Sequence, residues 1–502
     1  MLIVGAGPTG LTLAGELKRR GVDCVLIESH DGPLHWDRAT IVHPRTMELF
    51  ASLGLDKAML EAGIEQRYIY IYSDGELLGK MDLADNGSPF GFNVNVSEEV
   101  TERVLTGHLE AQGGSVRHGH KLVGLEQDAD GVKATIEHED REYEMTADWI
   151  VGAGGLHSPV RELSGIAFEG HDIPDEWAVL DTTLADWPHG HDANFAFLDK
   201  DSVILTPLPD LRWRAYIRPT APDSGLVEDA ARAVERYAPG ASVTDVENPT
   251  RFHCHTKVAA RYREGRALLA GDAAHVVSPS QGHGMNTGIH DSFNLAWKLA
   301  MVCRGEADPG LLDTYEAERK PVARMVMDSG DDFEAMQLLK EDDVRRERDE
   351  AIRNTFADEE SRLGEILGES QLNISYPDSP IVAGVGSGLA PGDRLPDEAG
   401  LHGFTAGGTG HCLVVIGSDN ASVESVATEA ERTHAGDFDS VIPFEIAADA
   451  AARLGVGDVA IVAVRPDRYI GFRSDGPDIE PVGGYLELVR TGGTPSNSDE
   501  AN

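Results

Sequence analysis

The chain has 502 residues, which is too long for a single hydrophobic core, so its length predicts two or three domains. Its formal net charge is −43 at pH 7, and lysine supplies only ten of its 43 basic residues. A field this negative excludes nucleic acid and anionic membranes as partners. It suits either a host with high internal salt, where ions screen the self-repulsion, or an ordinary acidic enzyme.

Hydrophobic residues occur only in short runs, none of which reaches the ~18–20 continuous apolar residues that a membrane helix needs. Leu2–Val4 reads as a core strand rather than as part of a signal peptide. The four cysteines (Cys24, Cys254, Cys303 and Cys412) are widely separated, which argues against a disulfide framework, a dithiol pair and a thiolate metal site. We therefore expect a cytoplasmic protein that holds no metal ion.

A glycine-rich turn follows a short apolar run at the start of the sequence. Leu2–Val4 predicts a strand and Gly5–Gly10 (GAGPTG) a tight turn. Leu11–Arg20 then has the apolar spacing of a helix, and Val22–Ile27 predicts a second strand that ends at Glu28. This order is typical of a dinucleotide site, in which glycines admit a pyrophosphate at the helix N-terminus and the acid binds ribose hydroxyls. An acid at this point disfavours NADP(H), whose ribose carries a 2′-phosphate.

Val151–Arg161 (VGAGGLHSPVR) raises the question of a second nucleotide site. Its glycines, Gly152, Gly154 and Gly155, do not give the GxGxxG spacing. Neither a ten-residue amphipathic helix nor a second strand ending in an acid follows them, and an independent nucleotide fold needs both. We therefore expect this segment to form the second wall of the site that Gly5–Gly10 begins.

The most distinctive stretch is Arg266–Leu299 (RALLAGDAAHVVSPSQGHGMNTGIHDSFNLAWKL). Ala267–Ala270 predicts a buried strand with Asp272 just beyond its carboxyl end, where the acid can hold a ribityl or ribose hydroxyl. The glycine-rich segment Gly282–Asn286 then leads into an amphipathic helix that we expect from about Asp291. Backbone N–H groups and a positive helix end suit an electron-rich flavin edge.

Three motifs carry a specific resemblance: GAGPTG, RATIVHPRTMELF at Arg38–Phe50, and GDAAHVVSPSQGHGMNTGIHDSFNLAWKL at Gly271–Leu299. Together the chain resembles, over nearly its whole length, the flavoprotein aromatic hydroxylases, single-component FAD monooxygenases that include phenol, hydroxybenzoate and polyketide hydroxylases. The resemblance implies an α/β fold with a Rossmann-type FAD-binding domain, an inserted and mostly antiparallel β-sheet substrate domain, and a C-terminal thioredoxin-like α/β domain.

One FAD is the cofactor that the resemblance implies, with NAD(P)H as a transient reductant that has no domain of its own. The expected cofactor contacts extend from the ADP half, through the ribityl region, to the isoalloxazine. They are Gly5, Ala6, Gly7, Pro8, Thr9, Gly10, Glu28, Ser29, Arg38, Glu98, Leu122, Gly154, Asp272, Pro279, Gly282, Gly284, Met285 and Asn286. For Arg45 we favour helix packing, and for His275 an anchoring role rather than that of a catalytic base.

Two residues depart from the pattern of the family that the chain resembles. Gly154 stands where that family usually has aspartate, which leaves FAD binding possible and puts the use of NAD(P)H in doubt. Glu98 stands where the family has glutamine, four residues ahead of Glu102. A carboxylate accepts hydrogen bonds and does not donate them unless protonated, so Glu98 either faces the flavin with a raised pKa or turns away. The alternative is a solvated helix N-terminus capped by Ser97.

The expected domains are an FAD-binding domain (1–165 and 255–380, with long charged helices), a substrate domain (166–254 with part of 68–96), a thioredoxin-like domain (390–490) and a disordered tail (491–502). The substrate domain contains alternating runs bounded by Pro, Gly and Asp, which predict an antiparallel sheet. Candidates for the pocket wall are Pro279, which the resemblance places beside the isoalloxazine, and the aromatic or stiff residues of this domain: Phe195, Phe197, Pro207, Trp213 and Tyr216. The resemblance makes a homodimer possible.

The predicted function is that of an FAD-dependent monooxygenase. By resemblance, NAD(P)H reduces the flavin, O₂ gives a flavin C4a-hydroperoxide, and one oxygen atom hydroxylates a phenolic or polycyclic aromatic substrate. Alternatives are a polyprenyl reductase, a halogenase or a Baeyer–Villiger-type oxygenase of the same fold, although the lysine and the Trp-rich signature of halogenases are not evident. A flavin-binding protein with impaired turnover is the alternative that Gly154 and Glu98 suggest.

Overall fold

The computed structural model describes residues 1–33, 39–198, 202–221, 223–386, 388–397, 400–405 and 407–493. Arg38, a predicted cofactor contact, lies outside these residues, as does the predicted tail from residue 494 onward. The helices are α1 (Pro8–Arg19), α2 (Pro44–Ser52), α3 (Asp56–Ala62), α4 (Glu98–Ala111), α5 (Pro159–Leu163), α6 (Leu226–Tyr237), α7 (His283–Cys303), α8 (Asp313–Gln337), α9 (Asp342–Ala357), α10 (Glu359–Glu369), α11 (Leu401–Phe404), α12 (Asn420–Thr433), α13 (Ala448–Arg453) and α14 (Glu480–Thr491). Within the described ranges, no helix combines the length and the hydropathy needed to cross a bilayer.

The strands of the first half of the chain are β1 (Leu2–Val4), β2 (Val25–Ile27), β3 (Ile41–Val42), β4 (Ile64–Gln66), β5 (Tyr68–Ser73), β6 (Glu76–Asp82), β7 (Asn93–Asn95), β8 (Val116–Arg117), β9 (Lys121–Gln127), β10 (Val132–His138), β11 (Arg141–Ala147), β12 (Ile150–Gly152), β13 (Phe168–Asp172), β14 (Trp177–Ala185), β15 (Ala193–Phe197), β16 (Val203–Leu208), β17 (Arg212–Ile217) and β18 (Ser242–Phe252). The later strands are β19 (His255–Ala259), β20 (Arg263–Glu264), β21 (Ala267–Leu269), β22 (His275–Val276), β23 (Ala383–Gly384), β24 (Cys412–Gly417), β25 (Ser440–Glu445), β26 (Val459–Val464) and β27 (Ile470–Asp475).

The first sheet brings both glycine turns to one edge. Its strand order is β20-β21-β12-β1-β2-β8, and β1 pairs in parallel with β12 on one side and with β2 on the other. β12 pairs in parallel with β21. Because parallel strands end at the same edge of a sheet, the turns after β1 and β12 and the segment after β21 converge there. This Rossmann-type arrangement is the predicted one.

Close backbone contacts hold the two glycine turns together. A Cβ atom on Gly10 would overlap the carbonyl oxygen of Gly5, and one on Gly5 would overlap the carbonyl oxygen of Ala153. Gly5 also has a φ of +108°, a region that residues with a side chain rarely adopt. The sequence therefore needs glycine at both positions for the turn, for the helix packing and for contact with the second turn.

A seven-stranded sheet forms the inserted domain, in the order β18-β14-β17-β16-β15-β5-β6. All its pairs are antiparallel except β15 with β5, so two strands from 68–82 join five strands from 177–252. One face packs towards α8, α9 and α10. The opposite face carries a cluster of aromatic side chains that α6 covers.

The C-terminal domain is built on the mixed sheet β23-β27-β26-β24-β25. β24 and β26 are buried along their whole length, as their apolar sequences LVVI and VAIVAV predict for strands covered on both faces. The fold class is the predicted one, including the thioredoxin-like α/β unit. α14 ends at Thr491, so the last helix extends one residue into the predicted tail.

Helix α7 begins eight residues earlier than we expect from the sequence, at His283 rather than at about Asp291. Gly282 ends a 3₁₀ turn (Pro279–Gln281) and adopts a φ of +68°, so the chain enters the helix at the next residue. Glycine is a poor helix former, but here Gly288 lets α7 approach Thr9 of α1 at a distance that a side chain would prevent. Tertiary packing thus overrides the local propensity.

A buried ionic network joins α7, α8 and the C-terminal domain. Lys298 Nζ lies 2.7 Å from Glu318 Oε2, and Arg465 Nη1 lies 2.6 Å from Glu318 Oε1. Arg465 also binds Asp467 at 2.6 Å, and the side chains of Lys298, Glu318 and Arg465 have no exposed surface. Burial alone would raise the pKa of Glu318, but Arg465 and Lys298 hold it well below its ordinary value.

We expect Glu318→Gln to lower the free energy of unfolding by about 3–5 kcal/mol, because it leaves Lys298 and Arg465 buried without their shared counter-ion. The matched control is Glu144→Gln, which breaks an exposed pair with Lys133 at 2.7 Å and should cost no more than about 1 kcal/mol. Urea denaturation followed by circular dichroism measures both. Equal effects of the two substitutions would contradict the role assigned to the buried network.

Candidate functional site

A cavity of about 1840 Å³ begins at the carboxyl edge of the first sheet and continues into the space between the seven-stranded sheet and helices α8–α10. Sites for drug-sized ligands usually enclose about 300–1,000 Å³, so this cavity has room for a dinucleotide and a second large molecule. We call its two parts the nucleotide end, at the glycine turns, and the substrate lobe, at the helices.

Glu28 closes the nucleotide end at the carboxyl terminus of β2. Its Oε2 accepts a hydrogen bond of 2.9 Å from the N–H of Ala6, and its Oε1 accepts from the N–H of His30 and the hydroxyl of Ser29, both at 3.0 Å. Burial alone would raise the pKa of Glu28, but these donors hold it below its ordinary value. Glu28 is therefore an ionised acceptor that the glycine turn itself positions for ribose hydroxyls.

Gly7 leaves a space that no part of the described protein fills. It is the N-cap of α1, with a φ of −72° that any residue adopts and with no side-chain cap on the helix. An added Cβ atom would meet only Glu102 Oε1, at 3.8 Å. Neither the backbone nor the packing requires glycine here, so the open N–H groups of α1 and the space in front of them fit the pyrophosphate of FAD.

The second glycine turn faces the first across the same edge. Ser158 caps the five-residue helix α5 by accepting from the N–H of Arg161, and Arg161 donates to the carbonyl oxygens of Leu156 and Ala273 at 2.6 and 3.2 Å. These bonds tie the turn after β12 to the segment after β21. Gly154 lines the cavity between them, and the structure thus brings both glycine turns to one site.

Residues 278–282, which directly precede α7 and which we call the flavin loop, lie at the junction of the nucleotide end and the substrate lobe. Ser278 Oγ hydrogen-bonds Glu334 Oε2 of α8 at 3.0 Å and accepts from the N–H of Ser280, which fixes the 3₁₀ turn that contains Pro279. The structure brings most of the predicted cofactor contacts to this cavity: Gly5, Ala6, Gly7, Pro8, Thr9, Glu28, Ser29, Glu98, Leu122, Gly154, Asp272, Pro279, Gly282, Gly284 and Met285.

Two predicted contacts do not line the cavity. Gly10 lies behind the turn against Gly5, where it serves helix packing. Asn286 is fully buried, and its side chain accepts from His43 N–H and Thr46 hydroxyl and donates to the carbonyl oxygens of Ile41 and Gly282. Asn286 thus shapes the flavin loop from behind.

Glu98 lies at the first turn of α4 and also lines the cavity, so the two alternatives for this residue are not exclusive. Ser97 caps the helix by accepting from the N–H of Val100, as the sequence predicts. Glu98 Oε2 accepts from the N–H of Ala39 at 3.3 Å. The carboxylate of Glu98 therefore serves as a hydrogen-bond acceptor at the position where the family pattern has the amide of glutamine.

His275 and Arg45 are structural residues. His275 Nε2 lies 2.6 Å from Asp291 Oδ2, and Asp291 Oδ1 binds Arg319 at 2.7 Å, with all three side chains buried. Arg45 binds Glu48 at 2.9 Å within α2. Both arrangements agree with the anchoring and packing roles expected from the sequence.

The predicted pocket wall is wrong for four residues of the substrate domain. Phe195, Phe197, Pro207 and Trp213 point to the face of the sheet that α6 covers, where Phe197 stacks on Tyr237 with ring centroids 3.8 Å apart. Side chains alternate along a strand, so their neighbours face the cavity instead. The cavity wall of this sheet comprises Ile69, Ile71, Met81, Asn194, Ala196, Leu198, Ile204, Thr206 and Tyr216, of which Tyr216 is a predicted member.

The helical half of the substrate lobe was not predicted from the sequence. Side chains of α8, α9 and α10 line it: Phe333, Met336, Arg348, Ile352, Thr355, Phe356, Glu365 and Glu369. A signal was present, since Ile352 and Phe356 stand four residues apart in a helix that is otherwise mostly charged. That spacing places both side chains on one face of the helix and indicates a short apolar stripe that packs against another element.

Comparison with known proteins agrees with the geometry. The FAD binding domain family matches residues 1–330. A 12-dehydrotetracycline 5-monooxygenase/anhydrotetracycline 6-monooxygenase from Streptomyces rimosus is 32% identical over 502 aligned residues, covering 94% of each chain. Pentachlorophenol 4-monooxygenase from Sphingobium chlorophenolicum is 35% identical over 338 residues, a match that covers 65% of this chain and 63% of that enzyme.

Among solved structures, OxyS anhydrotetracycline hydroxylase from Streptomyces rimosus superposes with a TM-score of 0.78 at 31% identity, covering 99% of both chains. The shared fold extends through all three domains. Together with the family match and the identity of the relatives, it shows that the chain belongs to the FAD-binding family of flavoprotein aromatic hydroxylases.

Proposed function

We propose that this chain is an FAD-dependent monooxygenase that uses NAD(P)H and O₂ to hydroxylate a phenolic or polycyclic aromatic substrate. The observation that carries the proposal is the continuity of the cavity, in which the nucleotide end opens into an apolar substrate lobe at the flavin loop. A cofactor held at the glycine turns thereby reaches a second molecule without leaving the protein interior.

The residues that would hold FAD are those of the nucleotide end and the flavin loop. Glu28 would bind the ribose, the N-terminus of α1 beside Gly7 the pyrophosphate, and Asp272 the ribityl chain. The chemistry that FAD supplies when bound is acceptance of a hydride from NAD(P)H and activation of O₂ for transfer of one oxygen atom.

The substrate lobe supports an aromatic substrate by its shape and polarity. Ile69, Ile71 and Met81 form one wall, and Phe333 and Phe356 lie on the opposite one. An apolar lobe keeps water away from the reacting atoms and favours a large flat ring system through burial of its apolar surface. The size of the cavity favours several fused rings, as in the tetracyclines named for the relatives, over a single ring.

The names of the relatives favour a monooxygenase over a reductase of the same fold. Both curated relatives are named as monooxygenases, one of a chlorinated phenol and one of a polycyclic compound, and neither is named as a reductase. We place the reaction in the cytoplasm, because the four cysteines, all within the described part of the chain, form no disulfide bond there. The homodimer remains a prediction, to be tested by sedimentation equilibrium.

We expect the purified protein to bind FAD and to oxidise NAD(P)H faster when an aromatic substrate is present. Anhydrotetracycline and pentachlorophenol are the first probes, because the relatives are named for them. Oxygen uptake and mass spectrometry under ¹⁸O₂ measure the reaction, with one labelled oxygen atom expected in the organic product. Bound FAD with no labelled product from any phenol or polycyclic phenol tested would overturn the proposal in favour of the flavin-binding alternative.

Gly7→Ala and Gly10→Ala should separate cofactor binding from folding. The methyl group of an alanine in place of Gly7 would enter space that the protein leaves open. We therefore expect an unchanged melting temperature and an affinity for FAD that is at least about tenfold lower. The Gly10 methyl group would overlap the carbonyl oxygen of Gly5, so the melting temperature itself should fall. Thermal scans and the ratio of flavin to protein absorbance measure the two effects, and a matching loss of stability in both variants would count against the FAD cradle.

Gly154→Asp should speed reduction of the flavin by NAD(P)H. The structure has room for the side chain, because an added Cβ atom would meet Val4 O at 3.5 Å and Pro159 Cδ at 3.6 Å. A new interaction of about 1 kcal/mol in the reduction step corresponds to about fivefold in rate. Stopped-flow absorbance measures it, and Gly154→Asn is the control of equal shape without charge. A rate that is unchanged or slower would show that the missing aspartate does not limit this chain.

A further inference from the structure

We propose that Glu369 is a catalytic residue of the substrate lobe, which takes the proton of a ring hydroxyl of the aromatic substrate while the neighbouring ring carbon is oxygenated. The inference rests on the proposed function and adds the residue that would make the ring reactive. Glu369 is the last residue of α10 and lines the lobe at the side of the flavin loop.

Three consecutive residues fix the end of α10 against the flavin loop. The backbone carbonyl of Glu369 accepts a hydrogen bond of 3.3 Å from His283 Nε2, and His283 directly follows Gly282 of that loop. The next carbonyl, of Ser370, accepts from the N–H of Arg45 at 3.3 Å. Gln371 then donates to the hydroxyl of Thr287 in α7 at 3.0 Å. The position of the Glu369 carboxyl is therefore set by the same elements that shape the flavin loop.

A polar network behind the lobe orients the carboxyl. The amide of Asn93 on β7 donates to the carboxylate of Glu369 and, at 2.9 Å, to Gln66 Oε1. His43 Nδ1 donates to Asn93 Oδ1 at 3.1 Å, which fixes which end of the amide faces Glu369. Asn93, Gln66 and His43 are fully buried, so the network is held by packing as well as by hydrogen bonds.

Burial raises the pKa of Glu369 to about 8, with Glu365 raising it further and the hydrogen bond from Asn93 opposing the shift. No cation of the surrounding elements cancels this effect in the described structure. Burial lowers the pKa of His43 to about 3 and of His283 to about 4, so both rings are neutral at physiological pH. A carboxyl that titrates near the working pH is well matched to accept a phenolic proton and return it.

Lys80 and Arg348 lie on the elements that pack against α10, and each has another partner. Lys80 of β6 lies over the ring of Tyr68 at 4.0 Å, on the far face of the sheet. Arg348 of α9 is bound by Asp349 at 2.6 Å and by the carbonyl oxygen of Leu198 at 2.9 Å.

The O–H bond of the ring hydroxyl breaks, its proton passes to Glu369, and its electron pair moves into the ring, where the carbon ortho or para to the hydroxyl forms a bond to one oxygen atom of O₂. NAD(P)H supplies a hydride and solvent supplies a proton, so that the second oxygen atom leaves as water, and the oxygen atom bonded to the ring takes up one further proton from solvent. The oxygenated carbon then loses its proton to solvent, and Glu369 returns the first proton to the ring oxygen.

The test compares Glu369→Gln with Glu360→Gln and Glu365→Gln in the FAD-loaded enzyme, with anhydrotetracycline as probe. Glu360 is the control for kcat, because it lies in the first turn of the same helix, is exposed and does not line the lobe. Glu365 lines the lobe one turn before Glu369, and its variant tests the charge effect alone. In the wild type, the carboxyl must be ionised to accept a proton, so kcat should rise with pH and level off above about 8. We expect Glu369→Gln to lower kcat about 100-fold with little change in KM and to abolish this rise. Glu360→Gln should keep kcat within about twofold and leave the rise where it is. Glu365→Gln should move the rise to lower pH, since it removes a like charge.

A second variant covers the case in which Glu369→Gln fails to fold. Glu369→Asp keeps a carboxylate on a shorter side chain, so kcat should fall while the rise with pH remains. Wild-type protein that binds FAD but yields no labelled product with the phenols tested would refute the proposed function, and this inference with it. Labelled product from the wild type, with kcat and pH profile unchanged in Glu369→Gln, would overturn the role of Glu369 alone. A lower kcat with an unchanged pH profile would also overturn it, because a purely structural role gives that result.

Discussion

The contact between the two glycine turns is the constraint on which the rest of the molecule depends. Gly5 packs against Ala153 so closely that no side chain fits between them, and Gly10 packs against Gly5 in the same way. This brings the ends of β1 and β12 together, places the N-terminus of α1 at the shared edge and leaves Glu28 in reach of Ala6. What looks in the sequence like a pair of nucleotide motifs is one binding edge made from two strands.

The sequence predicted this edge well because its signals are local. Glycine spacing, a helix N-terminus and an acid at the end of the next strand each report a backbone requirement that few other folds share. The start of α7 was predicted poorly, since the run from His283 to Gly288 is rich in glycine and only its packing against α1 makes it helical. Local preference and tertiary packing conflict there, and packing wins.

The substrate wall shows why side-chain direction was harder to predict. β15 and β16 are buried along their whole length, because α6 covers one face and the substrate lobe lies on the other. Polar and apolar residues therefore do not alternate in these strands, and the sequence does not indicate which face of the sheet Phe195 or Ala196 lies on. The helical half of the lobe was missed for a related reason, since it depends on contacts between segments far apart in the chain, such as the hydrogen bond from Arg348 to Leu198, which are 150 residues apart.

The two walls of the substrate lobe are not joined by a ladder of backbone hydrogen bonds. One wall is a sheet whose strands are locked in register, while the opposite wall consists of α8, α9 and α10, which meet that sheet through side chains. Substitutions in the helices can therefore reshape the space offered to a ring system while the cofactor edge stays as it is. Such a division lets one oxygen-activating scaffold acquire new substrates by changes in a short stretch of helical sequence.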